Sequence, residues 1–290
     1  MDKITGTGVA LITPFNEDFS IDFTSLKKLI NHQIEGGVDY LVVMGTTGES
    51  VVLSKSEKKE VVNFCKKINA GRLPIILGLG SNNTFALVEE IKSTDFDGID
   101  GVLSVSPYYN KPTQDGIYLH YKMIAEVCPL PIILYNVPGR TASNITSETT
   151  LCLANDFDNI VAVKEASGDL QQIAEIIEKR PANFLVLSGD DGLTPKMIEM
   201  GGDGVITVIG QSHPQIFSDM VRAGLAGDFE KANQLHDKLN PIYEPLYIDG
   251  NPAGIKATLN IMGICKNVLR PPLVGVTEET YNNLKRFIEH

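Results

Sequence analysis

Ile160-Val161-Ala162-Val163-Lys164 is an uninterrupted apolar run that ends in a lysine, a pattern typical of a strand buried on both faces. Seven comparable runs occur in the 290-residue chain, each bounded by glycine, proline or a polar residue: Val9–Thr13, Tyr40–Met44, Pro74–Leu79, Gly101–Ser106, Pro131–Tyr135, Phe184–Ser188 and Gly204–Val208. Because most of these runs are continuous rather than alternating, they predict parallel strands covered on both faces.

Amphipathic segments alternate with these runs. Residues 22–34 and 84–91 place leucine, isoleucine and valine at helical spacing, and Ser54 with Glu57 three residues later forms a predicted capping box. Eight strands that alternate with helices favour closure into a (β/α)8 TIM barrel over an open doubly wound sheet. The turn after the first strand, residues 13–17, also lacks the GxGxxG pattern of a dinucleotide fold.

The last part of the chain changes character. From Ser212 onward the pattern is helical, which predicts a barrel over residues 1–211 and a C-terminal helical extension over 212–290. No linker-like tract separates the two parts, so we expect them to form one structural unit. The expected helical stretches are Val221–Ala223, Phe229–Leu239, Ala253–Met262 and Glu278–Ile288.

Composition narrows the functional class. The chain is 43% hydrophobic and 21% charged, and its net charge of -11 argues against a sequence-independent grip on nucleic acid. Four scattered cysteines lack disulfide or metal-ligand spacing, which favours a reducing compartment. The first six residues carry no signal-peptide pattern, and no apolar run reaches the ~20 residues that span a bilayer. We therefore expect a cytoplasmic protein that does not associate with membranes.

Lys164 is the most informative residue. Removing an ammonium from water is costly, so a lysine in a buried strand favours the neutral amine, which is a nucleophile. Strand ends also carry the active sites of barrels of this type. The alternative interpretation is a structural lysine that pairs with Glu165 or another carboxylate.

Other strand ends carry polar residues whose roles the sequence leaves open. Tyr135 can transfer protons or simply fill the core. The Gly45–Glu49 loop can hold a carboxylate or be only a tight turn, and Arg140 can clamp a carboxylate or lie on the surface. Asp190 and Asp191 favour capping of the next helix over metal binding, because no histidine pair at ligand spacing accompanies them.

Three motifs in order, Gly45-Thr46-Thr47-Gly48-Glu49, Tyr135-Asn136-Val137-Pro138 and Lys164-Glu165-Ala166, resemble the pyruvate-dependent class I aldolases. This family contains the dihydrodipicolinate synthases and the N-acetylneuraminate lyases, and the resemblance extends from Gly6 to the C-terminal helices. Thr47, the run 107–110 and Arg140 match the synthase branch, since sialic acid lyases typically have serine before threonine in the first motif and lack that arginine.

The resemblance implies a reaction. Lys164 would form a Schiff base with pyruvate, and the resulting enamine would condense with L-aspartate 4-semialdehyde in the pathway to diaminopimelate and lysine. No cofactor or metal would be needed, because the lysine imine itself serves as the electron sink. The implied roles are proton relay for Tyr135, Thr46 and Tyr109, carboxylate binding for Thr47 and Arg140, and pocket lining for Gly189 and Ile206.

The resemblance also implies a homo-oligomer, usually a tetramer built from dimers, in which Tyr109 reaches the site of the neighbouring subunit. Two alternatives stay open. One is a lyase that cleaves N-acetylneuraminate or a keto-deoxy sugar acid through the same imine, and the other is a non-catalytic barrel that binds a carboxylate.

One departure concerns regulation. Feedback-sensitive members bind lysine at a subunit interface, where a carboxylate usually stands at the position of Ala86. Here Ala86 supplies no counter-charge, and Lys55 and Lys58 would repel a cationic effector. The sequence therefore predicts weak or absent inhibition by lysine. The positions concerned are Ser50, Lys55, Lys58, Asn82, Ala86 and Tyr108.

Overall fold

The computed structural model describes residues 4–289, and within them eight parallel strands form a closed barrel in chain order. The predicted (β/α)8 fold is confirmed. The strands are β1 Gly6–Ala10, β2 Tyr40–Val43, β3 Ile75–Gly78, β4 Gly101–Val105, β5 Ile132–Asn136, β6 Ile160–Glu165, β7 Leu185–Ser188 and β8 Gly204–Thr207.

Helices surround the barrel and continue beyond it. They are α1 Phe23–Glu35, α2 Lys55–Asn69, α3 Thr84–Ser93, α4 Gln114–Ala125, α5 Pro138–Thr141, α6 Ser147–Asp156, α7 Leu170–Lys179, α8 Thr194–Glu199, α9 Pro214–Leu225, α10 Phe229–Tyr247, α11 Ala253–Ile261 and α12 Glu278–Glu289. The capping box of Ser54 and Glu57 is present at the start of α2. Asp22 caps α1, and Asn83 caps α3.

The first strand begins three residues before its predicted start. The sequence indicated Val9–Thr13, whereas β1 covers Gly6–Ala10 and pairs with both β8 and β2. Two glycines in this segment resemble a loop in the sequence. Gly8 is required by packing instead, because a Cβ at this position would lie 2.0 Å from the Tyr40 ring.

Tyr40 fills the interior at this end of the barrel. Its side chain is fully buried, and its hydroxyl donates a hydrogen bond of 3.1 Å to the carbonyl of Val205 on β8. The buried phenol therefore keeps a partner for its polar end, as a tyrosine in a core requires.

The helix α10 is longer than its sequence suggests. The prediction ended at Leu239 because prolines follow, yet the helix continues through Pro241 and Pro245 to Tyr247. Each proline removes one intrahelical hydrogen bond. Burial of Leu239, Ile242 and Leu246 against the rest of the fold offsets that loss.

The C-terminal helices pack directly on the barrel. The helix α9 contacts β8 and β1, and α10 contacts α8 and α9. Within residues 4–289, no helix has the length and apolar character needed to cross a membrane. Residues 1–3 and His290 lie outside the described residues. The predicted barrel over 1–211 and the first six residues, which carry no signal-peptide pattern, include residues 1–3. The predicted extension over 212–290 includes His290.

The contact between Gly8 and Tyr40 leads to a stability prediction. Gly8→Ala forces a methyl group into the Tyr40 ring, and such overpacking costs about 1–3 kcal/mol. We expect a lower denaturant midpoint in urea unfolding. Gly139→Ala is the matched control, because nothing lies within 4 Å of a Cβ at that position. Equal midpoints for both variants would contradict the packing described here.

Candidate active site

A cavity of about 350 Å³ opens at the carboxyl ends of the strands. Barrels of this type carry their active sites at this end. The cavity brings together six of the eight residues singled out in the sequence, namely Thr46, Thr47, Tyr135, Arg140, Lys164 and Gly189.

Lys164 and Tyr135 lie side by side on adjacent strands. They are register partners on β6 and β5, and the lysine Nζ lies 4.3 Å from the centroid of the tyrosine ring. Lys164 is only 5% exposed, and within residues 4–289 no carboxylate lies close enough to form an ion pair with it. A buried lysine without a counter-ion is unusual in proteins and is characteristic of amine nucleophiles.

Glu165 does not pair with Lys164. The alternative interpretation of Lys164 as a structural lysine in an ion pair with Glu165 is therefore wrong. Both carboxylate oxygens accept hydrogen bonds from Asn136 Nδ2, at 3.1 and 3.0 Å. The Ser167 backbone N–H, at 2.7 Å, and Gln172 Nε2, at 3.0 Å, also donate to it. Burial raises the pKa of the Glu165 carboxyl, and these donors oppose that effect.

The pairing of Asn136 with Glu165 ties the ends of β5 and β6 together. These two residues are register partners, one position beyond Tyr135 and Lys164. Successive side chains of a strand point to opposite faces. The network therefore lies behind the strands and fixes the backbone that carries the reactive pair.

Gly189 at the end of β7 leaves space for the lysine stem. A Cβ at this position would lie 3.1 Å from Lys164 Cε and 2.6 Å from the Ala166 Cβ. The Gly189 N–H also donates a 2.7 Å hydrogen bond to the Glu165 carbonyl. A glycine here thus allows β6 and β7 to approach each other closely beside the amine.

The Gly45–Glu49 motif forms a 3₁₀ turn over Thr46–Gly48. Thr47 is buried and its Oγ1 accepts a 2.9 Å hydrogen bond from Asn251 Nδ2, while Thr46 is exposed at the cavity rim. On the barrel side, Thr13 Oγ1 donates a 2.7 Å hydrogen bond to the Gly48 carbonyl. The turn is therefore held from two directions.

Arg140 lies at the mouth of the cavity on the short helix α5. Its side chain is exposed, and Nη2 donates a 3.3 Å hydrogen bond to the Asn251 carbonyl. Among residues 4–289 this is the one hydrogen bond of the Arg140 side chain, so most of its guanidinium donors have no protein partner there. A guanidinium in this position can bind the carboxylate of an incoming molecule in a bidentate manner.

Two predicted residues do not line the cavity. Ile206 is 1% exposed and packs in the barrel interior with Leu187. Tyr109 is 85% exposed and lies outside the cavity of its own chain. Within residues 4–289, no hydrogen bond joins the hydroxyls of Tyr135, Thr46 and Tyr109, so a single chain does not assemble the predicted relay.

The sequence did not reveal the wall of the cavity formed by the C-terminal helices. Tyr243 and Tyr247 lie on the part of α10 beyond its first proline, and Asn251 precedes α11. Their four-residue spacing would place both tyrosines on one helix face. The sequence prediction missed this shared face because it ended the helix at Leu239, before Pro241.

Asp190 and Asp191 have structural partners. Asp190 Oδ1 accepts from the N–H groups of Gly192 and Leu193 before α8, at 2.9 and 3.2 Å. Asp191 is buried, and its Oδ2 accepts a 2.6 Å hydrogen bond from the Tyr247 hydroxyl. Burial raises the pKa of the Asp191 carboxyl. The prediction that these residues cap the next helix is wrong, because the N-cap of α8 is Leu193 and no side chain caps it. Asp190 instead orders the turn before α8, and Asp191 connects α10 to the cavity wall.

Comparison with known proteins agrees with this geometry. A family model described as the dihydrodipicolinate synthetase family matches residues 3–290. Proteins named 4-hydroxy-tetrahydrodipicolinate synthase from Flavobacterium psychrophilum and Parabacteroides distasonis are 52% and 51% identical, covering 99% of this chain and 98% and 96% of the relatives. The crystal structure of dihydrodipicolinate synthase from Aquifex aeolicus is 40% identical with a TM-score of 0.95, covering 99% of this chain and 97% of that one. The chain belongs to the dihydrodipicolinate synthetase family.

Proposed function

We propose that this chain condenses pyruvate with L-aspartate 4-semialdehyde to give 4-hydroxy-tetrahydrodipicolinate, a step of diaminopimelate and lysine biosynthesis. The observation that carries the proposal is the buried Lys164 amine, which lies in the cavity over Tyr135 and has no carboxylate partner in the described part of the chain. Family membership supports this assignment, because the relatives that are about half identical bear the name of this synthase.

Imine formation is the first step. The Lys164 amine adds to the ketone carbon of pyruvate, the carbonyl oxygen leaves as water, and an iminium results. The iminium withdraws electrons, so the pyruvate methyl group loses a proton and becomes the nucleophilic carbon of an enamine. Tyr135, next to Lys164, is the group best placed to exchange protons during these steps.

Carbon–carbon bond formation follows. The enamine carbon attacks the aldehyde of the second substrate, and the aldehyde oxygen takes up a proton as the iminium forms again. The amino group of the second substrate then adds to the iminium carbon, and the Lys164 amine leaves as the ring closes. The enzyme regains its free lysine, and the sequence of steps requires no electron acceptor besides the imine.

Two carboxylates determine how the substrates are oriented. We assign the pyruvate carboxylate to the turn of Thr46 and Thr47, because both residues line the cavity and a turn of this kind offers backbone N–H groups and hydroxyls to an anion. We assign the carboxylate of the semialdehyde to Arg140 at the mouth. Gly189 keeps the lysine stem free to reach between these two positions.

The relay of Tyr135, Thr46 and Tyr109 requires a second copy of the chain. Tyr109 is 85% exposed, and other apolar side chains are also strongly exposed, among them Val51 at 85%, Val274 at 77% and Phe85 at 74%. These side chains are available for contact with a second copy, and a contiguous patch of such side chains marks an interface. We propose that the chain forms a dimer in which Tyr109 of one copy completes the relay of the other, and that dimers pair into a tetramer.

We also propose that the barrel and the C-terminal helices form one structural unit and that the protein lies in the cytoplasm. The close packing of α9 and α10 on the barrel supports one structural unit rather than separate domains. All four cysteines are unpaired, which supports a reducing location such as the cytoplasm.

Substrate choice can be measured directly. In a coupled assay we expect turnover with pyruvate plus L-aspartate 4-semialdehyde and none with N-acetylneuraminate. Arg140→Met should raise KM for the semialdehyde about 10- to 100-fold, because a charged hydrogen-bonded pair contributes about 1.5–3 kcal/mol. Arg222→Met, on the surface of α9, is the control and should leave KM unchanged. Efficient cleavage of N-acetylneuraminate would replace this assignment with the lyase.

The subunit origin of Tyr109 is testable by complementation. Lys164→Ala lacks the nucleophile, and Tyr109→Phe lacks one relay hydroxyl, so each variant alone should be strongly impaired. In a mixed dimer, the site that retains Lys164 receives an intact Tyr109 from its partner. We expect activity to return when the two variants are dissociated, mixed and reassociated. Failure to recover activity in mixed dimers shown to have formed would contradict the shared site.

Feedback by lysine should be weak or absent. Ala86 is exposed on α3 and supplies no negative charge, while Lys55 begins α2 and Lys58 follows one turn later. We expect initial rates to be unaffected by lysine below millimolar concentration, and Ala86→Glu to lower the concentration that inhibits. Inhibition of the unmodified enzyme by submillimolar lysine would overturn this prediction.

A further inference from the structure

A second buried lysine lies outside the catalytic pair. Lys256 on α11 has a fully buried side chain, and its Nζ lies 2.5 Å from Oε1 of Glu49, whose side chain is 1% exposed. Neither residue lines the cavity. Glu49 directly follows the Thr46–Gly48 turn, so this ion pair connects the turn to a C-terminal helix.

The polar groups of this pair are further satisfied. Lys256 Nζ donates a 2.8 Å hydrogen bond to the Val268 carbonyl and lies 4.1 Å from the centroid of the Phe15 ring. The second oxygen of Glu49, Oε2, accepts from the Arg270 backbone N–H at 3.1 Å. Charges in such surroundings require this degree of partnering, because an unpaired charge in the interior is strongly unfavourable.

The pair holds a backbone conformation that the sequence does not favour. Glu49 has a φ of 51°, in the left-handed region that a glutamate rarely adopts. A second contact with the turn comes from the residues just before α11, where Asn251 Nδ2 donates a 2.9 Å hydrogen bond to Thr47 Oγ1. Residues 251–256 therefore hold the turn at Thr47 and at Glu49.

Stability alone gives little reason for this arrangement. A buried ion pair recovers roughly its own cost of desolvation, and apolar side chains of similar volume often replace one without loss of stability. What an apolar pair does not supply is a directional contact that fixes the orientation of Glu49 and, through the backbone, of the turn before it.

We propose that the Glu49–Lys256 ion pair is a positioning device that sets the orientation of the Thr46–Thr47 turn for the carboxylate of pyruvate. Neither side chain touches the substrate. This inference rests on the proposed function, since it assigns the pyruvate carboxylate to that turn. It adds that α11, at the far end of the chain, determines the geometry of the pyruvate site.

The test replaces both charges together. The double variant Glu49→Leu/Lys256→Met keeps the approximate volume and leaves no unpaired charge. We expect it to fold with a thermal midpoint near that of the unmodified protein. Its KM for pyruvate should rise about tenfold or more while kcat at saturating pyruvate changes less, the pattern of lost ground-state binding. Its KM for the semialdehyde should not change.

A matched control removes an ion pair at the opposite end of the barrel. Arg180 and Asp203 are both partly buried, and Asp203 directly precedes β8. Arg180→Met/Asp203→Asn should lower stability without changing KM for pyruvate. This control separates a general loss of stability from a displaced turn.

A readout without substrate separates this inference from the proposed function. Amide hydrogen exchange over residues 45–50 should become about tenfold faster in the Glu49→Leu/Lys256→Met variant and not in the control. Where the double variant does not fold, Glu49→Asp serves, because it keeps the charge but shortens the reach; it should raise KM for pyruvate to a smaller extent.

Two results would overturn the inference. A folded double variant, or a folded Glu49→Asp, with KM for pyruvate and turn exchange within twofold of the unmodified protein refutes the positioning role alone. An unmodified protein that neither binds nor consumes pyruvate refutes the proposed function, and the assignment of the turn to that substrate with it.

Discussion

The site depends on one constraint: an amine must lie at the end of a buried strand without a carboxylate beside it. Lys164 meets this constraint because the strand directs its neighbour Glu165 to the opposite face, where four hydrogen bonds from Asn136, Ser167 and Gln172 hold it. Lys164 is buried and forms no ion pair within residues 4–289, an arrangement characteristic of amine nucleophiles. The Glu165 carboxyl group points away from Lys164 and, through its hydrogen bonds with Asn136, links β6 to β5.

The closed barrel makes this arrangement possible. Parallel pairing from β1 to β8 directs all the carboxyl ends to one side, where the ends of distant strands converge on a single cavity. The C-terminal helices then complete the wall. Asn251 holds Thr47, Tyr247 holds Asp191, and Lys256 holds Glu49, so the last segment of the chain supports groups that follow the strands β2 and β7.

Local pattern was sufficient for the barrel and for the amine, because buried parallel strands have a distinctive composition and a lysine within one stands out. It was insufficient where long-range packing overrides local preference. The glycines of β1 are typical of a loop, yet the Tyr40 ring leaves room only for glycine at position 8. The prolines of α10 are typical of a helix end, yet burial of Ile242 and Leu246 stabilises the helix beyond Pro241. The sequence gives no sign of the role of Lys256, because its partner Glu49 lies about 200 residues earlier in the chain.

The central claim is that Lys164 forms an imine with pyruvate, and reductive trapping tests it most directly. The protein would be incubated with pyruvate and sodium borohydride, digested, and its peptides measured by mass spectrometry. The account predicts a gain of about 72 Da on Lys164, which is pyruvate less water plus two hydrogens, and no adduct in Lys164→Ala. Unmodified Lys164 in a protein that still consumes pyruvate, or an equal adduct in Lys164→Ala, would contradict it.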